Sequence, residues 1–312
     1  MMGKGDIIET EKESMSLLAD EPIAHKAVSN NGASTDTEQD AYVVIRPTRG
    51  FAALNLGEMW QYRDLLITLV GRDAKVRYKQ TALGVVWVVL QPLLAAGIFS
   101  FVFGKVAKLP TDGVASFVFS YAGLLGWGLF SNTLTKVSSS LVANANLISK
   151  VFFPRFILPL SSLGSVLIDF TVAAVMMAVI MALGGVSLAW PLLTLPVWIL
   201  LLLMFSLGVG LWAAALMVSY RDVGFILPVI IQMGMYASPV AYSVLAVPEK
   251  YRTLYYLNPL AGLLDAFRWS VLGVTHTPQW WAVAYATGFS LLVLVAGAFL
   301  FKKMERKFAD VV

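Results

Sequence analysis

Residues 58–92 read EMWQYRDLLITLVGRDAKVRYKQTALGVVWVVLQP, and this stretch decides the fold. On a helical wheel, Gln61 and Asp64 share one face, whereas Leu66 and Leu69 share the other. Such a helix is typical of a membrane interface, with its apolar face in the acyl boundary. A dense basic patch then precedes an apolar span. The stretch therefore predicts an amphipathic interface helix at 58–80, followed by the first membrane crossing. The interface helix and its cationic collar contain five basic residues: Arg63, Arg72, Lys75, Arg77 and Lys79.

The composition of the whole chain predicts a membrane protein. Of the 312 residues, 58% are hydrophobic and 13% are charged, whereas a soluble domain carries about 25% charged residues. Several apolar stretches approach the ~20 residues that a helix needs to cross a bilayer. We therefore predict an all-α polytopic membrane protein with a six-span transmembrane domain over 81–312. The predicted spans are 82–104 (interrupted at Gln91-Pro92), 116–135, 157–183, 191–218, 224–243 and 280–301.

The charges divide the chain into a polar tail and a basic membrane body. The first forty residues hold nine of the 19 acidic residues and three of the 23 basic ones. This composition is typical of disorder, so 1–41 is predicted to be a disordered tail and 42–57 a cytoplasmic docking segment. Outside the tail, fifteen Lys and Arg residues fall on one side of the six predicted spans and five on the other. The excess predicts that both termini are cytoplasmic. The basic balance belongs to a membrane protein and gives no support to nucleic-acid binding.

Residues that carry chemistry are scarce. The chain has no cysteine and two histidines, His25 and His276, which lie far apart in sequence. Gly3-Lys4 and Gly104-Lys105 lack the upstream glycine and the Ser or Thr of a phosphate-binding loop. We therefore predict no catalytic residue, no metal site and no cofactor in this chain. The protein is expected to be a transport path or a scaffold and not an enzyme.

Asp169 is the acidic residue deep within a predicted span. An intramembrane carboxylate is costly and is a functional candidate by default. The alternative is a protonated or hydrogen-bonded side chain packed against Ser161, Ser165 or a neighbouring helix. In the fourth span, Ser206, Gly210 and Ala214 recur every four residues, a pattern that favours close helix packing.

Aromatic residues cluster toward the predicted outer side of the membrane. They are either an interfacial belt or stacking surfaces along a glycan path. The segment 244–279 is too apolar for a free loop and too broken for a span, which predicts a re-entrant helical hairpin that forms an outer gate. The candidates for a substrate path are Phe99, Phe103, Tyr121, Tyr236, Tyr242, Tyr251, Tyr255 and Tyr256.

Five segments in this order resemble the ABC transporter permeases that export bacterial polysaccharides, including O-antigen, capsule and teichoic acid. The resemblance covers about 42–312. The matching pieces are RDAKVRYKQTALGVVWVVLQP at 72–92, NANLISKVFFPRFILP at 144–159, SYRDV at 219–223, YLNPLAGLLDAFR at 256–268 and ERKFADVV at 305–312.

The resemblance implies two copies of this chain, a homodimer that the small unrepeated six-span unit also favours. It further implies two copies of a separate ABC ATPase subunit that binds ATP and Mg²⁺. The cargo is expected to be a lipid-linked glycan, and the location the bacterial inner membrane. By the same resemblance, 136–155 is the coupling segment that meets the ATPase. Its candidate residues are Ser140, Leu141, Asn144, Asn146, Leu147 and Lys150.

Three other functions stay open at the level of sequence. In the first alternative, the chain is still an ABC transporter permease, but its cargo is a glycolipid or a small drug. In a second class, the chain is an ion-coupled carrier or lipid flippase that works without an ATPase, for which Asp169 is the best support. In a third class, it is a non-transporting scaffold for a glycan synthase.

Overall fold

The structure is a computed structural model that describes residues 56–79, 85–187, 189–273 and 277–311. Every regular element in these ranges is helical. The α-helices are α1 (Leu56–Gln61), α2 (Arg63–Lys79), α3 (Val85–Phe99), α4 (Ser116–Ala143), α5 (Ala145–Ile148), α6 (Ile157–Leu183), α7 (Leu195–Ser219), α8 (Val223–Tyr236), α9 (Glu249–Tyr255), α10 (Pro259–Leu272) and α11 (Trp280–Val311). A π-helix, Ser100–Val106, extends α3, and 3₁₀ turns form at Trp190–Thr194 and Val244–Ala246.

The helix α7 lies at the centre of the described bundle and packs along both α4 and α11. Small residues permit these close contacts. A Cβ atom at Gly297 of α11 would overlap the backbone of Gly208 in α7. On another side of α7, Gly210 lies against Val137 of α4, and Ser206 is fully buried. The predicted small-residue pattern therefore serves helix packing.

Four described helical segments are long and apolar enough to cross a membrane: Val86–Val106, Ile157–Leu183, Trp190–Ser219 and Trp280–Glu305. They correspond to the first, third, fourth and sixth predicted spans. The second predicted span lies in α4, which has 28 residues but contains the polar run Ser131-Asn132-Thr133. The fifth lies in α8, which is apolar but has only 14 residues.

Two proline effects differ from expectation. The predicted interruption at Gln91-Pro92 is wrong, because α3 continues through Pro92 and becomes irregular only at the π-helix. The fifth predicted span was expected to reach residue 243, but α8 ends at Tyr236. A proline disfavours helical geometry in the residue that precedes it, and Pro239 lies three residues after the end of α8. The chain then turns toward α9.

The predicted interface helix consists of two helices, α1 and α2, separated by a turn at Tyr62. Its apolar face was expected to lie in lipid, but Leu69 is buried against protein. The helix α2 packs on α6, where Val70 lies so close to Gly164 that an added Cβ atom would overlap it. Ile67 and Trp60 remain exposed. Much of the apolar face is therefore a helix-packing surface.

The predicted coupling segment 136–155 is not one unit. Its first eight residues continue α4 to Ala143, and the short helix α5 follows after Asn144. The predicted gate segment 244–279 contains α9 and α10, and all residues of α10 after Pro259 are buried. The predicted tail, most of the docking segment and His276 lie outside the described residues.

Candidate functional site

An ion-pair cluster surrounds Asp169, which is 8% exposed. The helix α6 places its carboxylate toward α2 and α4. Arg77 of α2 donates to the Oδ2 atom of Asp169, and the Nζ atom of Lys136 lies 3.1 Å from the same oxygen. Lys136 also donates to the Oγ atom of Ser165 at 2.9 Å. A buried charge is costly unless it is paired, and here the pairing joins three helices. We call Arg77, Lys136 and Asp169 the Asp169 cluster.

Arg72 forms a second connection between α2 and the rest of the bundle. Its Nη2 atom donates to Asp73 and to the Oδ1 atom of Asn144, both at 2.8 Å. Asn144 in turn donates to the backbone oxygen of Ser140 at 2.8 Å. Arg72 therefore ties α2 to the turn between α4 and α5.

Other collar residues are placed differently. Arg63 is exposed, lies 3.8 Å from Asp64 and stacks over Trp60. Lys75 is exposed, and the side chain of Lys79 lies outside the described atoms. The five predicted collar residues thus do not act as one group: Arg72 and Arg77 face the bundle, whereas Arg63 does not.

A cleft of about 560 Å³ opens between α2, α4 and α6. Three cations, Arg72, Arg77 and Lys136, line it together with one carboxylate, that of Asp73. Neutral polar side chains complete much of the wall, namely Ser139, Ser140, Asn144, Ser162 and Ser165. We call this space the cationic cleft. The two arginines were among the predicted collar residues, whereas Lys136 fell in the predicted coupling segment 136–155 and was not selected, because the extension of α4 through it was not foreseen.

The candidate coupling residues differ in their exposure. Ser140 and Leu141 are buried, and the Ser140 hydroxyl donates to the backbone oxygen of Val137 at 2.7 Å. Their side chains therefore present no surface to a partner, contrary to expectation. Asn146 and Lys150 are exposed, Leu147 is half-buried, and Asn144 is held by Arg72. The most exposed apolar side chain nearby is Phe152, at 74%, which was not among the predicted coupling residues.

The aromatic candidates do not form one exposed surface. Tyr121 is 1% exposed, and its hydroxyl donates to the backbone oxygen of Ala173 at 3.1 Å. Tyr256 is buried and donates to Asp265 at 3.0 Å. These two side chains pack inside the protein and present no stacking face, which corrects their selection.

The remaining aromatic candidates are more accessible. Tyr242 and Tyr255 share a hydrogen bond of 2.9 Å, and burial raises the pKa of Tyr255 above its ordinary value. Phe99 and Phe103 are half-buried and meet edge to face, with ring centroids 5.5 Å apart. The two exposed members of the set are Tyr236 and Tyr251.

Arg268 of α10 is a structurally central residue, although it was predicted to be a cation of the outer segment 244–279. It is 2% exposed and donates to the backbone oxygens of Pro239 and Tyr242 at 2.5 and 3.3 Å. Its guanidinium carbon also lies 4.2 Å from the ring centroid of Phe119. The signal in the sequence was its position in an apolar helical run, LAGLLDAFRWSVL. Arg268 holds the chain after α8 against α4 and α10.

Within the described ranges, no group of three potential ligands among His, Asp and Glu is placed to hold a metal ion. The described side chains of these sites interact by ionic pairing, hydrogen bonding and apolar packing. Those interactions can bind a charged group or transmit a movement between helices.

Comparison with known proteins identifies the family. A family model described as "ABC-2 type transporter" matches residues 64–272. The O-antigen export system permease protein RfbA of Klebsiella pneumoniae is 30% identical over 259 residues, which is 82% of this chain and 97% of the relative. The protein of that name from Myxococcus xanthus is 29% identical over 81% of this chain and 97% of its own length.

A more distant relative extends the comparison. The polysialic acid transport protein KpsM of Escherichia coli is 22% identical over 235 residues, covering 75% of this chain and 91% of the relative. The matched region includes the helices of the cationic cleft and the segment that carries Arg268. This chain belongs to the ABC-2 type transporter family.

Proposed function

We propose that this chain is the permease subunit of an ABC transporter that exports lipid-linked polysaccharide, such as O-antigen, across the bacterial inner membrane. ATP hydrolysis in a separate nucleotide-binding subunit drives the export. The observation that carries the proposal is the match to O-antigen export permeases over 97% of their length. The four membrane-length helices agree with a path through a bilayer.

The ATPase meets the chain at the segment after α4. Residues there leave the membrane bundle and expose both polar and apolar side chains, including Lys150 and Phe152. The connection from Arg72 to Asn144 gives α2 a direct link to this surface. A displacement of the surface by the ATPase is thereby carried to α2 and to the Asp169 cluster. ATP and Mg²⁺ belong to the ATPase, of which two copies are expected.

Two copies of this chain form the path, with six spans each and both termini in the cytoplasm. The helix α8 supports a homodimer, because one long side of it faces no other described part of the chain. The exposed apolar residues on α8 are Phe225, Ile226, Val229, Ile230, Met233 and Tyr236. In a single copy this surface would face lipid, whereas a dimer places some of it against the second copy.

The helices α9 and α10 form the re-entrant pair that gates the outer exit. Several polar contacts support their attachment to the bundle. Asn258 caps α10 through the backbone nitrogen of Leu260 at 3.1 Å and also donates to Ser238 at 3.0 Å. Arg268 contacts the same segment after α8 through the backbone oxygen of Pro239. A backbone that is neither a full span nor a surface loop is tolerated at membrane depth where protein covers it.

The ion-coupled carrier loses its best support. Asp169, which favoured it, is already engaged by Arg77 and Lys136. A carboxylate that joins three helices through two cations is better suited to holding them together than to taking up and releasing a coupling ion.

Deletion of the chain in its own bacterium tests the proposal. We expect polysaccharide to accumulate inside the cell and to disappear from the surface, and a plasmid copy to restore it. Substitution of the phosphate-binding lysine in the ATPase subunit is expected to give the same phenotype. Normal surface polysaccharide in the deletion strain would overturn the proposal, and reduced synthesis with no internal accumulation would support the scaffold instead.

A further inference from the structure

We propose that the cationic cleft is a phosphate-binding site whose ligand is the phosphate or diphosphate that joins a lipid to a glycan. The lipid identity of this ligand rests on the proposed function. The phosphate chemistry rests on the cleft itself, through its position, its charges and its hydrogen-bond donors.

The position of the cleft suits a group that enters from the membrane interface. Its walls come from α2, which carries the collar, and from the adjacent ends of α4 and α6. Its volume of about 560 Å³ falls in the range of roughly 300–1,000 Å³ that is usual for small-ligand sites. The cleft is therefore large enough for a headgroup, and it lies beside the helix that the sequence pattern assigns to the membrane interface.

The charges of the cleft favour an anion. Arg72, Arg77 and Lys136 contribute three positive charges to its wall. The carboxylates that pair with them are those of Asp73 and Asp169. These described side chains together leave an excess of one positive charge. In a site that is partly shielded from water, such an excess attracts an anion more strongly than it would in bulk solvent.

The cleft also retains donors for phosphate oxygens. The Lys136 ammonium has three donors, and its contacts within the described part of the chain are with Ser165 and Asp169. Arg72 bonds Asp73 and Asn144 through Nε and Nη2, so its contacts with the described residues leave Nη1 for a ligand. A guanidinium suits phosphate because its N–H groups match the spacing of the oxygens.

Hydroxyl groups next to these cations extend the donor set. Ser139 donates to the backbone oxygen of Thr135 at 2.9 Å, and Ser162 donates to that of Leu158 at 3.2 Å. A serine hydroxyl rotates about its C–O bond, so either side chain can exchange a helix carbonyl for a phosphate oxygen. The cleft thus combines cations and neutral donors, which an unspecific collar on an interface helix does not.

A direct binding measurement tests the assignment without requiring transport. The full-length chain is placed in phosphatidylcholine nanodiscs that contain a trace of radiolabelled long-chain polyprenyl diphosphate, and the label retained per protein is measured. Inorganic pyrophosphate is added as a soluble competitor. The variant is Arg72→Gln, and the matched control is Arg63→Gln, which removes an exposed arginine of the same collar that lies outside the cleft.

We expect Arg72→Gln to weaken retention by about tenfold or more, the usual effect of losing a hydrogen bond between charged groups. Arg63→Gln should retain the lipid as the wild type does. Arg72→Lys, which keeps the charge but loses the paired donors, should fall between them. If Arg72→Gln is not monodisperse, Lys136→Gln takes its place, with a loss of the same size expected.

The remaining outcomes separate the sources of the phosphate. Binding of pyrophosphate without retention of the lipid would assign the site to a soluble anion and keep its phosphate chemistry. Equal losses in Arg72→Gln and Arg63→Gln would overturn the site, because they would show general attraction of lipid to the collar. Failure of this binding with export intact would reject the site alone, whereas binding in a chain that exports nothing would reject the proposed function alone.

Discussion

The Oδ2 atom of Asp169 lies 3.1 Å from the Nζ atom of Lys136, although the two residues are 33 positions apart in the chain. Arg77 reaches the same oxygen from α2. One carboxylate inside a membrane-length helix thus fixes the interface helix to two helices of the bundle. Since α2 also holds the turn after α4 through Arg72, these helices are expected to move together when the ATPase acts.

The Asp169 cluster should contribute to stability. Asp169→Asn removes the charged acceptor that both cations share, so we expect the free energy of unfolding to fall by about 1–3 kcal/mol. This loss is smaller than for a fully buried ion pair because Arg77 is partly exposed. The measurement is thermal unfolding of the purified protein in detergent. The double variant Lys136→Met/Asp169→Asn should recover part of the loss.

The control for this prediction is Asp64→Asn, since Asp64 is exposed on the same interface helix. An Asp169→Asn protein that unfolds at the wild-type temperature would show that the cluster does not hold the helices together. Strictly additive effects in the double variant would lead to the same conclusion.

The crossing of α7 and α11 depends on two glycines. A Cβ atom at Gly208 would lie 2.6 Å from the backbone nitrogen of Leu294, and one at Gly297 would overlap Gly208 itself. We expect either Gly→Ala change to cost about 1–3 kcal/mol through overpacking, measured by unfolding in detergent. Gly288→Ala on α11 is the control, because a Cβ atom there meets nothing within 4 Å. A harmless Gly297→Ala would mean that the helices are further apart than described.

Arg268 should control the order of the turn after α8. Arg268→Met leaves the carbonyl groups of Pro239 and Tyr242 without these donors, so we expect the free energy of unfolding to fall by about 2–4 kcal/mol. Limited proteolysis should then cut the turn at 237–243 faster than in the wild type. Lys250→Gln serves as the control, since Lys250 is exposed and stacks over Tyr251. If Arg268→Met is cut at the same rate as the wild type, Arg268 does not control the order of this turn.

Phe152 should contribute to ATPase docking. Its side chain is largely exposed in the segment after α4 that we propose meets the ATPase, so Phe152→Ser is expected to lower co-purification of the ATPase while the chain still inserts. Exposed apolar anchors of this size often dominate an interface. The control is Leu193→Ser, because Leu193 is also largely exposed but lies in the turn that precedes α7. Unchanged co-purification of Phe152→Ser would place the docking surface elsewhere.

Hydropathy predicted the third span at about 157–183, which agrees with α6, because this helix is apolar apart from Asp169, Thr171 and its serines. The class of protein followed for the same reason. The length of α4 was not predictable in this way. Its last turns are polar, and they stay helical because Val137 and Leu141 pack in the core. This packing joins segments that are distant in the sequence, so a hydropathy profile cannot predict it.

The candidate site was predictable only in part. The basic collar was visible as a run of cations, but a run does not tell which members face the bundle. Arg77 is distinguished by its partner Asp169, 92 residues away, and Arg268 by two backbone carbonyls near Pro239. Two of the aromatic candidates were wrong for a similar reason. The hydroxyl groups of Tyr121 and Tyr256 donate hydrogen bonds inside the protein, so their rings are buried and present no stacking face.

Reconstitution tests the central claim most directly. The purified chain is placed in proteoliposomes with and without its ATPase subunit, and translocation of a lipid-linked glycan is followed by its accessibility to a glycosidase on the far side. We predict translocation only with both subunits and ATP, and none when the phosphate-binding lysine of the ATPase is substituted. Translocation by this chain alone, driven by an ion gradient and abolished by Asp169→Asn, would contradict the account.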